Sequence, residues 1–423
     1  MNIKREIVRL DKKLVKLIKL IGELADKESL RACLVGGFVR DVFLKIRNFD
    51  IDVIVEKDGI RFAGLISKIL KGRLLGHSRF KTAVVSFGNF KIDVATFRKE
   101  EYPYPGSLPV VSSGSLSDDL ARRDFSINAM AVSINKNDFG FVFDYFLGLN
   151  DLKRKQLRVL HDKSFIDDPL RILRLARFKT RFGFSVEPVT LSLIKQAKKQ
   201  KSLENMQKHR IRDELILIFK EARPEKPLKY LDNIYGWQFI SPNLYLSRDL
   251  ENKFRLVRKT CIWFENNFLR RRKLDIWIMY LILFLSKLRI TELRKIARQL
   301  ALKRGEALRL LSFNSNYIKV IRKLENTRLK PSFIYNILNP LSYEVILDCY
   351  VLANHTVRKN IKDYLLRYNL MRIKLSGEDL KKIGISPGPN FKRLFAKVKE
   401  EKLNVNLRTK EQELLFVKKL LKK

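Results

Sequence analysis

The run Asn48-Phe49-Asp50-Ile51-Asp52-Val53-Ile54-Val55 decides how this chain folds. Its β-branched tail predicts a strand, and the two-residue period of a strand puts Asp50 and Asp52 on one face, about 7 Å apart at their Cα atoms. Two carboxylates so placed repel each other unless they share a proton or a cation lies between them. Magnesium held by one or two carboxylates together with substrate phosphates is the common arrangement in phosphoryl transfer. For an Asp-x-Asp taken alone, an ordinary acidic turn leading into a strand is the plainer alternative. The residues upstream bear on that choice. Leu34-Val35-Gly36-Gly37 reads as a short apolar strand ending in paired glycines, followed by a helix from about Phe38 to Leu44. Glycines at such a turn let backbone N–H groups approach a phosphate, and the helix N-terminus adds positive potential. Arg40 adds a forked cation, with Asp41 placed to orient it. Together these residues point to a nucleoside triphosphate and its metals.

Two further blocks carry chemistry. In Arg122-Arg123-Asp124-Phe125-Ser126-Ile127-Asn128-Ala129-Met130-Ala131 the adjacent cations point opposite ways on an extended segment. One can then face a nucleotide while the other pairs with a carboxylate; a solvated charge cluster at a helix start is the alternative. Asp167-Asp168-Pro169-Leu170-Arg171-Ile172-Leu173-Arg174-Leu175-Ala176-Arg177-Phe178 reads as a helix, with arginines and apolar residues recurring every three or four positions. Asp168 and Arg171 would then be helix neighbours. A carboxylate acceptor beside a guanidinium donor can bond the Watson–Crick edge of a base, Asp168 taking the exocyclic amino group shared by cytosine and adenine. Uracil and guanine present a carbonyl there and would be rejected. A weak intrahelical salt bridge is the alternative. Between the blocks, Asp93 lies in the β-rich run Ile92-Asp93-Val94 and is placed on a strand neighbouring Asp52 as a third carboxylate. The Pro/Gly/Tyr-rich segment from Glu100 to Val110 reads as unable to continue regular structure.

Gly36-Gly37-Phe38-Val39-Arg40-Asp41 followed by Asp50-Ile51-Asp52, then the two later blocks in order, resemble the class II tRNA nucleotidyltransferase and bacterial poly(A) polymerase family. The resemblance runs from about residue 30 to 220. It implies an α+β protein with a polymerase-β-like nucleotidyltransferase head, a small mixed sheet with helices, followed by an all-α neck, body and tail. It also implies template-independent addition of C and A from CTP and ATP to a tRNA 3′ end. A relative adding only A or only CC, or a poly(A) polymerase, is the alternative, with a nonenzymatic RNA-binding protein behind both. Asp50 and Asp52, joined by Asp93, would serve a two-ion Mg²⁺ site that Mn²⁺ can also fill. Gly36, Gly37 and Arg40 would hold the triphosphate; Arg123, Asp124 and Asn128 the ribose and phosphates; Asp168 and Arg171, flanked by Arg174 and Arg177, would replace a nucleic-acid template. The 100–110 segment resembles the family's mobile loop, which helps the site switch from CTP to ATP. Arg210, Arg212 and Glu214 resemble a late element that braces the neck. Two departures stand out: Lys45 replaces a turn glycine, and Asp167 replaces a frequent Glu.

Composition agrees with a polyanionic partner. A formal charge of +42 over 423 residues far exceeds what solubility needs, and such a surface binds nucleic acid by releasing counterions. The expected division is a head over 1–135, a helical neck over 136–222 and a helical body and tail over 223–423. Arg270, Arg271 and Arg272 form a basic cluster suited to tRNA phosphates. Gly388-Pro389 leads into a basic helix with Lys392 and Arg393, placed to hold the tRNA elbow. Cys33, Cys261 and Cys349 are isolated and read as core residues of a cytoplasmic protein. Neither a membrane span nor a protein partner is implied; Leu274–Leu285 reads as a buried helix. The stretch from Met1 to Asp26 reads as a basic amphipathic helix with Leu14, Leu17, Ile18 and Ile21 inward.

Overall fold

A computed structural model describes residues 1–47, 50–77, 82–268, 273–405 and 407–421. It divides into two compact units, Met1–Phe239 and Ile240–Lys423. Strands and helices share the first and helices make up the second, which is the α+β arrangement expected.

In the first unit, strands β1 (Ala32–Val35), β2 (Asp50–Val55), β3 (Arg73–His77), β4 (Thr82–Phe87) and β5 (Phe90–Thr96) precede a hairpin of β6 (Arg98–Glu101) and β7 (Val110–Ser113). After it come β8 (Ala131–Ser133) and β9 (Val142–Phe143). The main sheet has the order β3-β4-β5-β2-β1-β8-β9. It is mixed: β2 runs parallel to β5 and antiparallel to β1. The alternation read from the sequence holds on β2, where Ile51, Val53 and Val55 are buried on one face and Asp50, Asp52 and Ile54 share the other. The helix Gly59–Leu70 lies over β3, β4 and β5. A Cβ on Gly59 would stand 2.7 Å from the Ala95 carbonyl carbon, so only glycine lets that helix start so close to β5. On the Asp52 face, Ile54 joins Cys33, Val35, Leu116 and Leu120 in one apolar cluster. That cluster seats the helix Leu116–Ala121 beside the acidic residues.

The sheet continues past the boundary expected at residue 135. Phe143 ends β9, and Asn2 bridges Phe141. A two-residue strand such as β9 is too short to show alternation in the sequence, so of this sheet only it falls within the expected neck. The N-terminal stretch is two helices, Lys4–Val8 and Lys12–Lys27, because Asp11 caps the second by accepting from Lys13 N and Leu14 N. Leu14, Leu17, Ile18 and Ile21 are buried as expected. The helices Leu170–Phe182 and Lys208–Phe219 are joined by Glu214, which accepts from Arg174 Nε at 2.7 Å and Arg177 Nη2 at 3.5 Å.

In the second unit, Ile276–Leu285 is a helix buried from Ile278 onward. Among the described residues no helix is long and apolar enough to cross a membrane. Lys392 and Arg393 are exposed on the helix Pro389–Val405, whose inner side packs with Leu375, Leu380 and Val417 through Val398. Arg270, Arg271 and Arg272 lie outside the described residues. All three cysteines are buried.

Candidate active site

The β2–β5 register sets the centre of the site, because Asp52 and Asp93 are directly paired across the parallel strands and Asp50 pairs with Lys91. Lys91 Nζ sits 2.5 Å from Asp93 Oδ2 and pairs with that carboxylate. Burial pushes the Asp52 carboxyl up to about 6; Arg123 and Lys91 pull it down, and Asp93 and Asp50 push it further up. A buried carboxylate pushed up in this way is stabilised by a positive partner. Among the described residues no group of three His, Cys, Asp or Glu is gathered closely enough to enclose a metal. Two hard oxygen donors on one face of β2, Asp50 and Asp52, fit magnesium, which keeps waters and takes phosphate oxygens, better than zinc. The pH dependence has a fixed sign. A carboxyl raised to about 6 keeps its proton in the fold between its ordinary value and about 6. Destabilisation by its charge therefore vanishes as pH falls through that window, and so does the carboxylate that a cation needs. The melting-temperature increase given by magnesium at about pH 7.5 is expected to fade as pH drops through about 6. An increase that is unchanged at about pH 5 would remove Asp52 from the metal site.

Gly36 and Gly37 open the helix Gly36–Leu44, two residues earlier than the sequence suggested. Gly36 has φ +67°, and a Cβ there would lie 2.8 Å from Arg123 Nη1 and 3.4 Å from Asp52 Oδ2. Gly36→Ala is thus expected to cost about 1–2 kcal/mol of stability from backbone strain and to displace Arg123, weakening nucleotide binding at least about ten-fold. Gly37→Ala meets only Arg40 Nη2 at 3.4 Å and is expected to melt like the parent. Thermal melts and ATP titrations of the two variants check this contrast; equal behaviour would contradict it.

Arg40 does not line the cavity, in contrast to its expected role at the triphosphate. It is 5 % exposed, with Nε and Nη2 donating to Asp41 Oδ1 at 2.9 and 2.7 Å and Nη1 to Asn128 Oδ1 at 2.7 Å. Its guanidinium also lies over the Phe182 and Phe178 rings. The fork is spent on joining the first helix turn to the Ser126–Asn128 turn and the helix Leu170–Phe182. Arg177 is likewise absent from the cavity wall, being held by Glu214.

Arg122 and Arg123 do not divide their roles as expected. Both donate to one fully buried carboxylate, Asp119, Arg122 to Oδ1 at 2.7 Å and Arg123 to Oδ2 at 2.8 Å. Burial opposes ionisation of Asp119, but the charges of Arg123 and Arg122 hold it below the usual carboxylate range. Glu100 Oε1 accepts a further bond from Arg122 Nη1, at 3.0 Å, and pairs with Arg98 at 2.9 Å. Asp124 Oδ1 accepts from Asn128 Nδ2 at 2.8 Å, and both line the cavity.

Asp168 and Arg171 share the wall of a cavity of about 460 Å³ with Gly36, Gly37, Asp52 and Arg123. They are not on one helix. Asp168 ends the short helix Ser164–Asp167 with φ −132° and ψ 88°, and the next helix begins at Leu170. Pro169 is the reason: its ring disfavours the helical region for the residue before it. Among the described interactions no ion pair joins Asp168 to Arg171. Asp168 Oδ1 accepts from Arg210 Nη2 at 3.0 Å, while Arg171 donates to Ser164 Oγ at 2.6 Å and to the Arg122 carbonyl at 2.7 Å. Both are thereby fixed in place beneath the cavity. Arg210, read as a neck brace, also reaches the Gly106 carbonyl at 3.4 Å, and Gly106 N donates to Ile166 O. The segment expected to be irregular from Glu100 starts and ends as the hairpin β6–β7, with Tyr102–Pro109 between, and Tyr102, Leu108 and Pro109 wall the cavity.

Nine expected residues therefore line this cavity: Gly36, Gly37, Asp52, Arg123, Asp124, Asn128, Asp168, Arg171 and Arg174. Asp93 borders a smaller cleft that Asp52 and Arg123 also touch. Lys91 and Asp119 are not among the expected site residues, and Arg210 is expected only as a neck brace; Asp119 carries a local trace, three and four residues before two arginines on a capped helix.

Residues 32–158 match the model of the Poly A polymerase head domain, and residues 183–244 match that of a probable RNA and SrmB-binding site of polymerase A. An A-adding tRNA nucleotidyltransferase of Geobacter sulfurreducens is 34 % identical over 97 % of this chain and 48 % of its own length. The chain thus spans about half of that relative. An A-adding tRNA nucleotidyltransferase of Halalkalibacterium halodurans is 30 % identical over 96 % of this chain and 92 % of its own length. The structure of the Thermotoga maritima CCA-adding enzyme complexed with tRNA_CCA superposes with a TM-score of 0.75 at 31 % identity, covering 100 % of this chain and 99 % of that one.

Proposed function

Because this chain belongs to the class II tRNA nucleotidyltransferase and poly(A) polymerase family, we propose that it adds C and A from CTP and ATP to the 3′ end of tRNA without a nucleic-acid template. The observation that carries this reading is the common wall: the acidic residue Asp52, the Gly36–Gly37 turn and the base-reading candidates Asp168 and Arg171 enclose one cavity. In the reaction the RNA 3′-oxygen forms a bond to the α-phosphorus, and the bond to the bridging oxygen of pyrophosphate breaks. Asp50 and Asp52 would hold magnesium, with Asp93, paired to Lys91, beside them; when bound, the ion supplies charge neutralisation at the triphosphate and eases loss of the hydroxyl proton.

The protein's own groups do the rest. Gly36 and Gly37 offer backbone N–H groups to the phosphates at a helix start. Arg123, fixed by Asp119, presents a cation that cannot swing away. Asp168 accepts the amino group of cytosine or adenine and Arg171 donates to the ring, so both bases fit and a carbonyl in the amino position does not. Lys392 and Arg393 supply cations for the tRNA elbow.

A second reading, addition of the A alone, is favoured by the names of the two relatives that match along nearly all of the chain. Three tRNA substrates ending at the discriminator base, at C and at CC separate the two, each with labelled CTP or ATP. Full CCA addition predicts CTP use on the first two and ATP use on the third. ATP use on the third alone would leave only the A step, and long A tails on unrelated RNA would make the chain a poly(A) polymerase.

A further inference from the structure

We propose that a cleft in the second unit, between the helices Leu250–Asn267, Tyr343–Leu352 and His355–Leu366, binds an unpaired nucleotide of RNA. Its base would stack on Trp263 and Tyr350, and its phosphates would meet Lys259, Arg358 and Lys362. The two rings lie 5° from parallel with centroids 6.2 Å apart. Neither is core: both are half-buried and both line a cavity of about 280 Å³, below the range for drug-sized ligands and suited to a single planar base. No acidic residue lines it.

The cations are arranged around the rings. Lys362 Nζ is 5.6 Å from the Trp263 centroid and 5.9 Å from that of Tyr350. Lys259 and Lys362 are exposed. Arg358 is prefixed, with Nε donating to the Tyr350 carbonyl and Nη2 to the Val351 carbonyl at 3.0 Å each, which holds its guanidinium 5.5 Å from the Tyr350 ring. Parallel aromatic faces bordered by cations are the means by which proteins hold single-stranded nucleic acid, since every base has a face to stack and every linkage a charge. An acidic peptide would use the cations but has no need of the parallel rings. In free protein, Lys362 shields the ring faces; a base displacing it would send the ammonium to a flanking phosphate.

This inference rests on the RNA-binding part of the function proposed above, so the same protein samples are assayed for nucleotide addition. The test compares binding of labelled hexa-adenylate with that of an abasic phosphodiester of the same length and charge, by fluorescence anisotropy on the full chain. The parent is expected to prefer hexa-adenylate about ten-fold. Trp263→Leu is expected to abolish that preference without changing abasic affinity, and Trp263→Phe to keep most of it. Lys362→Ala is expected to weaken both ligands and lower the salt slope by about one. In the unaltered protein, ultraviolet crosslinking of hexa-adenylate is expected to mark peptides from 250–267 or 343–352. No base preference in the parent, a preference untouched by Trp263→Leu, equal competition by polyglutamate, or crosslinks confined to the first unit would each overturn the site. Any of these with nucleotide addition intact would leave the catalytic reading standing.

Discussion

Asp52→Asn is expected to lower nucleotide addition by about 10³-fold or more, with a melting temperature equal to or above that of the parent near neutral pH. If Asp52 holds metal as proposed, its loss removes several kcal/mol of charge stabilisation from the transition state, and each factor of ten in rate corresponds to about 1.4 kcal/mol. The opposite sign for stability follows from the same burial. A carboxyl pushed up to about 6 is ionised at a cost above that pH, and the neutral amide removes the cost. Single-turnover incorporation of ATP and a thermal melt on one sample measure both effects. Activity within ten-fold of the parent would take Asp52 out of the reaction. A large drop in melting temperature would show that the carboxylate is structural.

The second large effect concerns base choice. Asp168→Ala is expected to reduce discrimination of CTP and ATP against UTP and GTP by about 10²-fold or more, because sites that read a base by buried hydrogen bonds gain most of their selectivity from the cost of leaving those groups unpaired. The variant also deprives Arg210 of its carboxylate, so Arg210→Lys serves as the comparison: it keeps a cation near Asp168 but cannot reach both Asp168 and the Gly106 carbonyl with one planar fork. Unchanged discrimination in Asp168→Ala would refute the base-reading role. Equal loss in both variants would mean that the position of Asp168, rather than its charge, carries selection.

The parts of the site that could be read from the sequence are those set by local geometry. Strand alternation placed Asp50 and Asp52 on one face, and the glycine pair marked the turn, because both depend on neighbours a few residues away. What escaped depends on distant partners or on direction. Arg40 was legible as a cation, but not that Asn128 and two phenylalanines would turn it inward. Asp119 left only its spacing from two arginines as a trace, because its work as a clamp lies in where the helix Leu116–Ala121 docks, which Ile54 and Val35 decide. Arg210 came from a later helix and reached Asp168 only through the fold. The helical reading of Asp168 fails on one residue, Pro169, which keeps the residue before it out of the helical region.

The parallel pairing of β2 with β5 has a consequence for how the molecule is made. Antiparallel β3, β4 and β5 are joined by short connections and can assemble as a local meander, whereas Asp52 meets Asp93 only after the intervening helix and two strands are in place. Contacts between residues far apart in the chain are bought late, since loop closure must precede them. The two acids are therefore expected to come together late in folding, and magnesium held at the proposed site is expected to slow unfolding far more than it speeds refolding. A chain emerging from the ribosome can pair Asp52 with Asp93 only once β5, which ends at Thr96, has cleared the exit.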